Sequence, residues 1–149
     1  GECLGDGYYL YVEAAPSEPA QQGNAYGAKL SVPIELVALA EELQLQRRQW
    51  KSRFSRWQAE EKRVVAWGSG GGATNFLNAI EEAALVEQVV DINPARHGGH
   101  VSGSGQRIIT PEELTSVRPH VVLVTNNLYR DEIRQHVSQL GLLCEFAEI

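Results

Sequence analysis

Three polar segments hold the residues whose types and spacing suit binding chemistry. The first is Gly68-Ser69-Gly70-Gly71-Gly72-Ala73-Thr74-Asn75. Glycines let a backbone come close to a ligand, and free N–H groups opening a following helix attract an anion. Gly68, Gly70 and Ala73 match in form the G-x-G-x-x-A turn of dinucleotide sites. Asp91 lies 18 residues beyond Ala73, near where such sites place an acid for a ribose. The plainer reading is a glycine turn that only lets a helix pack on a strand. The second segment is Asp91-Ile92-Asn93-Pro94-Ala95-Arg96-His97-Gly98-Gly99-His100. Asp91 and Asn93 suit the edge of a ligand site, or simply the making of a turn. His97 and His100 suit acid–base work, and equally suit a solvated loop. With no Cys or third His beside them they do not form a zinc set. Val101 to Gly105 follows as a polar stretch expected to be mobile and able to close over a ligand. The third segment is Thr125-Asn126-Asn127-Leu128-Tyr129. Its two amides and phenol can bond a polar ligand, and either Asn can instead cap a helix. No nucleophile elbow, zinc motif or Walker A loop occurs, since the glycine segment lacks the Lys that loop needs.

These segments need strands and helices to bring them together. Arg63 to Trp67, Val86 to Asp91 and His120 to Val124 read as strands, and each ends where a polar segment begins. The last is a continuous apolar run suited to a buried parallel sheet. Gln106 to Ile109 reads as a short strand and Leu142 to Ala147 as a final one. Helices are expected over Thr74 to Ala84, from Pro111 with Thr110 as cap, and over Tyr129 to Leu140 with Gly141 closing it. Alternating strands and helices mean an α/β domain with a parallel sheet, whose ligands bind beyond the carboxyl ends of the strands.

A long helix is expected before this domain, from Pro33 to Lys62, with Ser31 able to cap it. Leu36, Leu43, Trp50 and Trp57 fall seven apart with Leu39 and Phe54 beside them, one apolar stripe. Such a stripe suits packing on a sheet or a dimer seam. Arg47, Arg48, Lys51, Arg53 and Arg56 crowd its second half, as a solvated face or a site for phosphate or an acidic partner. Earlier still, Gly7 to Ala14 reads as a strand and Pro16 to Gly27 as linker.

The chain has 149 residues and a net charge of −6, which argues against general binding to nucleic acid or anionic membranes. No apolar run approaches the ~20 residues of a spanning helix, and no secretory signal opens the chain. Two cysteines, Cys3 and Cys144, form neither a disulfide framework nor a metal set, which points to a reducing cytoplasm. Methionine is absent even at position 1, and excision from a larger protein is the expected reason.

In the order and spacing of its segments the chain resembles the C-terminal domain of sugar C-methyltransferases, which methylate carbon on nucleotide-linked keto-deoxysugars. That family opens on a tyrosine–glycine step, and Trp67-Gly68 stands there. Phe76-Leu77-Asn78 matches its aliphatic–aliphatic–asparagine ending, and Asp91-x-Asn93-Pro94 its Asp-x-Asn-Pro turn. Gly98 follows one step later than in the family, and Ser102-Gly103-Ser104 occupies a proline–glycine–threonine step. Pro111 to Leu114, Pro119, Asn127, Glu132 and Ile133 keep its later elements. Gly72 stands where the family has a lysine, Asn126 where it has tryptophan, and His120 where it has an acid. The resemblance covers about residues 34 to 149.

The resemblance implies a Rossmann-like three-layer domain with a mostly parallel sheet over 31–149, preceded by the long helix. Residues 1–30 are then the tail of a preceding methyltransferase domain plus linker. It implies a substrate module for a nucleotide-linked sugar, contacting it through Gly68 to Asn75, Asn78, Asn126, Asn127 and Tyr129, with Asp91, Asn93, Pro94 and His97 at the edge. S-adenosylmethionine and the catalytic base belong to upstream parts of the complete enzyme. No cofactor or metal is expected on this domain alone, and the fragment is expected to be inactive by itself. Two other readings fit the residues. One is an NAD-type dinucleotide domain, favoured by the glycine pattern and Asp91. The other is a ligand-free interaction or homodimer module, favoured by the long helix with its tryptophans and arginines.

Overall fold

The computed structural model describes residues 2–4, 9–11 and 34–149, with side chains from residue 37 onward. The linker at Pro16 to Gly27 and the Ser31 and Pro33 start signals lie outside the described residues, as do the ends of the strand expected at Gly7 to Ala14. The chain separates into two compact units, Gly1–Ile34 and Glu35–Ile149. In the first, β1 (Glu2–Leu4) pairs antiparallel with β2 (Tyr9–Tyr11), Cys3 lying opposite Leu10.

The second unit holds α1 (Ile34–Ala59) from its second residue on, then β3 (Val64–Trp67), α2 (Gly71–Ala79), β4 (Val86–Val90), β5 (Arg107–Ile109), α3 (Leu114–Val117), β6 (Val121–Val124), α4 (Arg130–Gln139) and β7 (Glu145–Glu148). Its five strands form one all-parallel sheet in the order β5-β4-β3-β6-β7. Counted from β3 this is 3-2-1-4-5, the order of a Rossmann-like α/β domain, and the direction of winding reverses between β3 and β6.

All four residues of β3 and of β6 are buried, as expected of central parallel strands covered on both faces. Alternation sends their side chains to opposite layers. Val64, Ala66, Val121 and Leu123 join Phe54, Trp57, Leu77 and Ile80 in one core. Val65, Trp67, Val122 and Val124 join Leu114, Ile133 and Val137 in the other. One face therefore lies under α1 and α2, the other under α3 and α4.

The apolar stripe of α1 has two fates. Trp57 and Phe54 are fully buried, edge-on at 5.3 Å, and Trp50 meets Phe76 edge-on at 4.9 Å. Val37, Leu39, Leu43 and Leu45 are about half exposed. The crowded cations form a solvated face on which two of the five are ion-paired: Lys51 bonds Glu82 at 2.8 Å, and Arg56 reaches Glu60 and Glu145.

Element ends differ from the sequence expectation in places. The helix expected over Thr74 to Ala84 starts three residues earlier and stops at Ala79, giving way to a 3-10 turn at Glu81–Leu85. Near its end the Asn78 amide donates to the Thr74 carbonyl, a side-chain bond that competes with the helical backbone. The helix expected from Pro111 begins at Leu114 with Glu113 at its N-cap, and Thr110 instead closes the turn before it: its N–H donates to Glu113 Oε2 at 2.8 Å and its hydroxyl accepts from the Glu113 N–H, the reciprocal pattern of a capping box. Gly141 has φ +73° and closes α4 with bonds from Gly141 N to Ser138 O and Leu142 N to Val137 O. Tyr129 falls not in α4 but in a 3-10 turn, Asn127–Tyr129, ahead of it. The final strand begins at Glu145, three residues later than expected.

Candidate functional site

The glycine turn leaves β3, the Asp91 loop leaves β4 and the Asn126 loop leaves β6, so all three meet beyond the carboxyl ends of adjacent strands. The reversal between β3 and β6 places a crevice there.

Gly68 turns the chain out of the sheet with φ +100°, and its N–H donates to the Val90 carbonyl at 2.7 Å. A Cβ at Gly68 would stand 2.5 Å from Thr125 Oγ1. That hydroxyl donates to the carbonyls of Trp67 and Gly68, at 2.8 and 3.1 Å, and locks β6 to the turn. Gly72 lies close to the same loop, since a Cβ there would be 3.2 Å from the Thr125 carbonyl oxygen. Around Gly70 and Gly71 nothing lies within 4 Å of an added Cβ. Helix α2 starts here with no side-chain cap and no acid in its first turn. Thr74 bonds back to Gly70 O through its N–H and hydroxyl, whereas the N–H groups of Gly70 to Ala73 find no acceptor among the described residues. Uncapped N–H groups with open space before them form an anion-binding arrangement.

Asp91 is buried and organises the neighbouring loops. Its Oδ2 accepts from the Ser69 N–H at 2.9 Å, from the Ser69 hydroxyl, and from Arg96 Nη1 at 3.1 Å. Its Oδ1 accepts from the Asn93 N–H at 2.8 Å. Burial by itself would raise this carboxyl's pKa, but the bonds from Ser69, Asn93 and Arg96 outweigh it and hold the group below its ordinary value. The carboxylate offered by the sequence as a ribose acceptor is thus already occupied by the protein's own donors. Asn93 Oδ1 accepts from the Ala95 N–H and starts the 3-10 turn of Pro94–Arg96. His97 Nε2 lies 2.7 Å from the Asp91 carbonyl oxygen, a bond that holds the loop.

The stretch from Val101 to Gly105 is tied down where mobility was expected. Val101 is buried, and its N–H donates to Gln106 O at 2.9 Å. Across the loop base the Gly98 N–H donates to Ile108 O at 2.9 Å and the Ile108 N–H to Gly99 O at 2.8 Å. Asn78 Nδ2 donates to Ser102 O at 2.9 Å, so Asn78 joins α2 to this loop. On the far side of the crevice, Asn126 caps: its Oδ1 accepts from the Leu128 N–H at 3.1 Å. Asn75, Asn127 and Tyr129 remain exposed.

Two residues of the site were not among the sequence candidates. Arg96 bridges Ser69 Oγ and Asp91 Oδ2, both at 3.1 Å, and sets a half-exposed guanidinium beside the glycine turn. Thr125 fixes the turn from across the crevice. The signal for Arg96 was a lone cation in a loop otherwise read for its histidines. Among the described residues no helix is long and apolar enough to cross a membrane.

The family described as the C-methyltransferase C-terminal domain matches residues 27–141, more than half of the chain. No curated protein matches. Among solved structures, the chain is similar to RSP, a Rex-family repressor, at 9% identity and a TM-score of 0.47, over 68% of this chain and 60% of that one. RSP in complex with β-NAD+ and operator DNA gives 9% identity and a TM-score of 0.45, over 58% of this chain and 49% of that one. The chain spans between about half and three-fifths of the length of those structures.

Proposed function

The chain belongs to the C-methyltransferase C-terminal domain family, and from that premise we propose that it is the part of an S-adenosylmethionine-dependent sugar C-methyltransferase that holds the nucleotide-linked sugar. The diphosphate lies against the N–H groups of Gly70 to Ala73, with Arg96 at the rim. Asn127 and Tyr129 meet the polar parts of the substrate from the β6 side. The observation that carries this reading is the uncapped start of α2, open to ligand at the reversal of the sheet. Ser69, Asp91, Asn93 and His97 position the loops, and Asn78 braces α2 from behind.

The methyl donor fits poorly on this domain. A nucleoside ribose at such a site is bonded by an acid ending the second strand. That acid is Asp91, whose oxygens are taken by Ser69, Asn93 and Arg96. We assign S-adenosylmethionine and the base that takes the sugar proton to other parts of the complete enzyme. The same occupied carboxylate weighs against an NAD-type site. By this reading the working compartment is the cytoplasm, where Cys144 stays a thiol.

Calorimetric and thermal-shift titration with thymidine diphosphate, a thymidine-diphosphate sugar, S-adenosylmethionine and NAD tests the proposal. Binding to the folded state raises the melting temperature by mass action. The diphosphates are expected to stabilise the chain, and Gly70→Val to abolish the effect while the fold survives. Stabilisation by NAD alone would overturn the reading, and so would silence from the whole panel.

A further inference from the structure

At the amino end of the sheet, away from the glycine turn, an open hollow of about 540 Å³ lies beneath β3 and β6. Pro119, Leu142 and Leu143 give it an apolar wall, and Leu143 is 99% exposed. Arg63, Arg118 and His120 give it a rim of donors. Arg118 ends α3 in the left-handed region, φ 49°, a conformation that favours glycine. Arg63 holds it there: Nη2 donates to the Arg118 carbonyl at 2.7 Å, and Nε to the same oxygen and to Val117 O, both at 3.0 Å. The Arg63 N–H donates to His120 Nδ1 at 2.9 Å, so the neutral imidazole carries its proton on Nε2. Seven other cations on this unit sit within 4 Å of a carboxylate: Lys51, Arg56, Lys62, Arg96, Arg107, Arg130 and Arg134. Arg63 and Arg118 have no such partner among the described residues, a condition they share only with Arg47, Arg48 and Arg53 on α1.

We propose that this hollow is a second ligand site, separate from the glycine turn, for a small organic anion with an oxyanion head and an apolar body. Arg118, Arg63 and His120 line the hollow together and offer the head the Arg118 fork, the free Arg63 Nη1 and the His120 Nε2–H; phosphate and carboxylate both match an arginine fork. Pro119, Leu142 and Leu143 take the body. The hollow is open, with polar and apolar lining in similar measure, which suits a small anion that carries an apolar body. A backbone strained at one residue, and gripped by another's guanidinium, is a feature that concentrates at functional sites.

The test is an NMR titration of the ¹⁵N-labelled chain with phenyl phosphate, with inorganic phosphate and phenol as its two halves. Saturable shifts are expected at His120, Leu142 and Leu143, with phenyl phosphate binding about tenfold more tightly than inorganic phosphate. Arg118→Gly suits the left-handed backbone, so it removes the fork without endangering the fold. It is expected to weaken phenyl phosphate at least tenfold. Leu143→Ser is expected to weaken phenyl phosphate and leave inorganic phosphate unchanged. Benzoate reports which head is preferred, and saturable binding of either at these amides supports the site. Equal, weak binding of phenyl and inorganic phosphate that ignores Arg118→Gly would mean an adventitious ion only and overturn the proposal. Shifts confined to Gly70 to Ala73 would overturn it too. Thymidine diphosphate in the same spectra reports on the glycine turn, so the two sites stand or fall separately.

Discussion

The two ends of the parallel sheet use charge in opposite directions. At the carboxyl end a carboxylate is turned inward. Asp91 collects donors from Ser69, Asn93 and Arg96, and in doing so fixes the relation of two loops to each other. At the amino end the charge is turned outward. Arg63 grips backbone carbonyls, while the Arg118 guanidinium has no carboxylate within reach among the described residues. The difference shows why charge alone is a poor guide to a ligand. A buried carboxylate must satisfy its oxygens, so it becomes a brace, and the ligand is left to the N–H groups it helps to hold. An exposed guanidinium carries no such obligation and stays open to a partner.

The largest effect is expected at Gly68. Gly68→Ala forces an L side chain to φ +100° and drives a Cβ against Thr125 Oγ1. Strain and overlap together should cost about 2–4 kcal/mol, read as a lower urea midpoint. Gly70→Ala has open space around it and should change the stability by less than about 0.5 kcal/mol. Equal losses at both positions would contradict the division of this turn into a packed half and an open half.

Asp91→Asn comes next. It removes the charge that Ser69 and Arg96 bond, and should cost about 2 kcal/mol at neutral pH. The sign of the pH dependence follows from the lowered pKa of Asp91. A group ionised more easily in the folded state contributes its full stability above the unfolded value of ~3.9, and loses it as pH falls through the folded value. The gap between the parent chain and Asp91→Asn should therefore be constant from pH 7 to about 5 and narrow toward pH 2. Urea unfolding at several pH values measures it. A gap that widened in acid would remove Asp91 from its role as the charged brace. Thr125→Val should cost less, about 1 kcal/mol, by losing the hydroxyl bond to Trp67 O and Gly68 O.

The parts of this site that were legible in the sequence are those governed by neighbours along the chain. Val121 to Val124 is apolar at every position because both faces of that strand are covered. Thr110 and Glu113 stand three apart as a capping box does. Asn126 follows a strand and caps the turn after it. The residues that escaped act across the fold. Arg96 reaches Ser69 from 27 positions away, and only the pairing of β3 with β4 brings them together. Thr125 matters to Gly68 because β6 crosses over to lie beside β3. The stripe of α1 was visible throughout its length, yet nothing local says that Trp50 and Trp57 meet the sheet while Leu39 and Leu43 stay half exposed. Pairing and crossover are tertiary facts, and a pattern read in one dimension does not contain them.

The smallest expected effect has the opposite sign and sharpens the contrast between the ends. Removing charge at the carboxyl end should destabilise the fold, whereas Arg118→Gly should stabilise it by about 0.5 kcal/mol. The reason is local. Position 118 closes α3 in a left-handed conformation that costs an L residue free energy and suits glycine. The bonds that hold this turn end on the carbonyl oxygen of residue 118, which glycine also has, so Arg63 keeps its grip. Two small terms oppose the gain: the greater freedom of glycine in the unfolded chain, and a cation lost from a helix carboxyl end. A modest rise in the urea midpoint would show that the Arg118 side chain does nothing for the fold and is free to serve a ligand. A fall of 1 kcal/mol or more would make Arg118 a brace like Asp91, and the two ends of the sheet would then follow one rule.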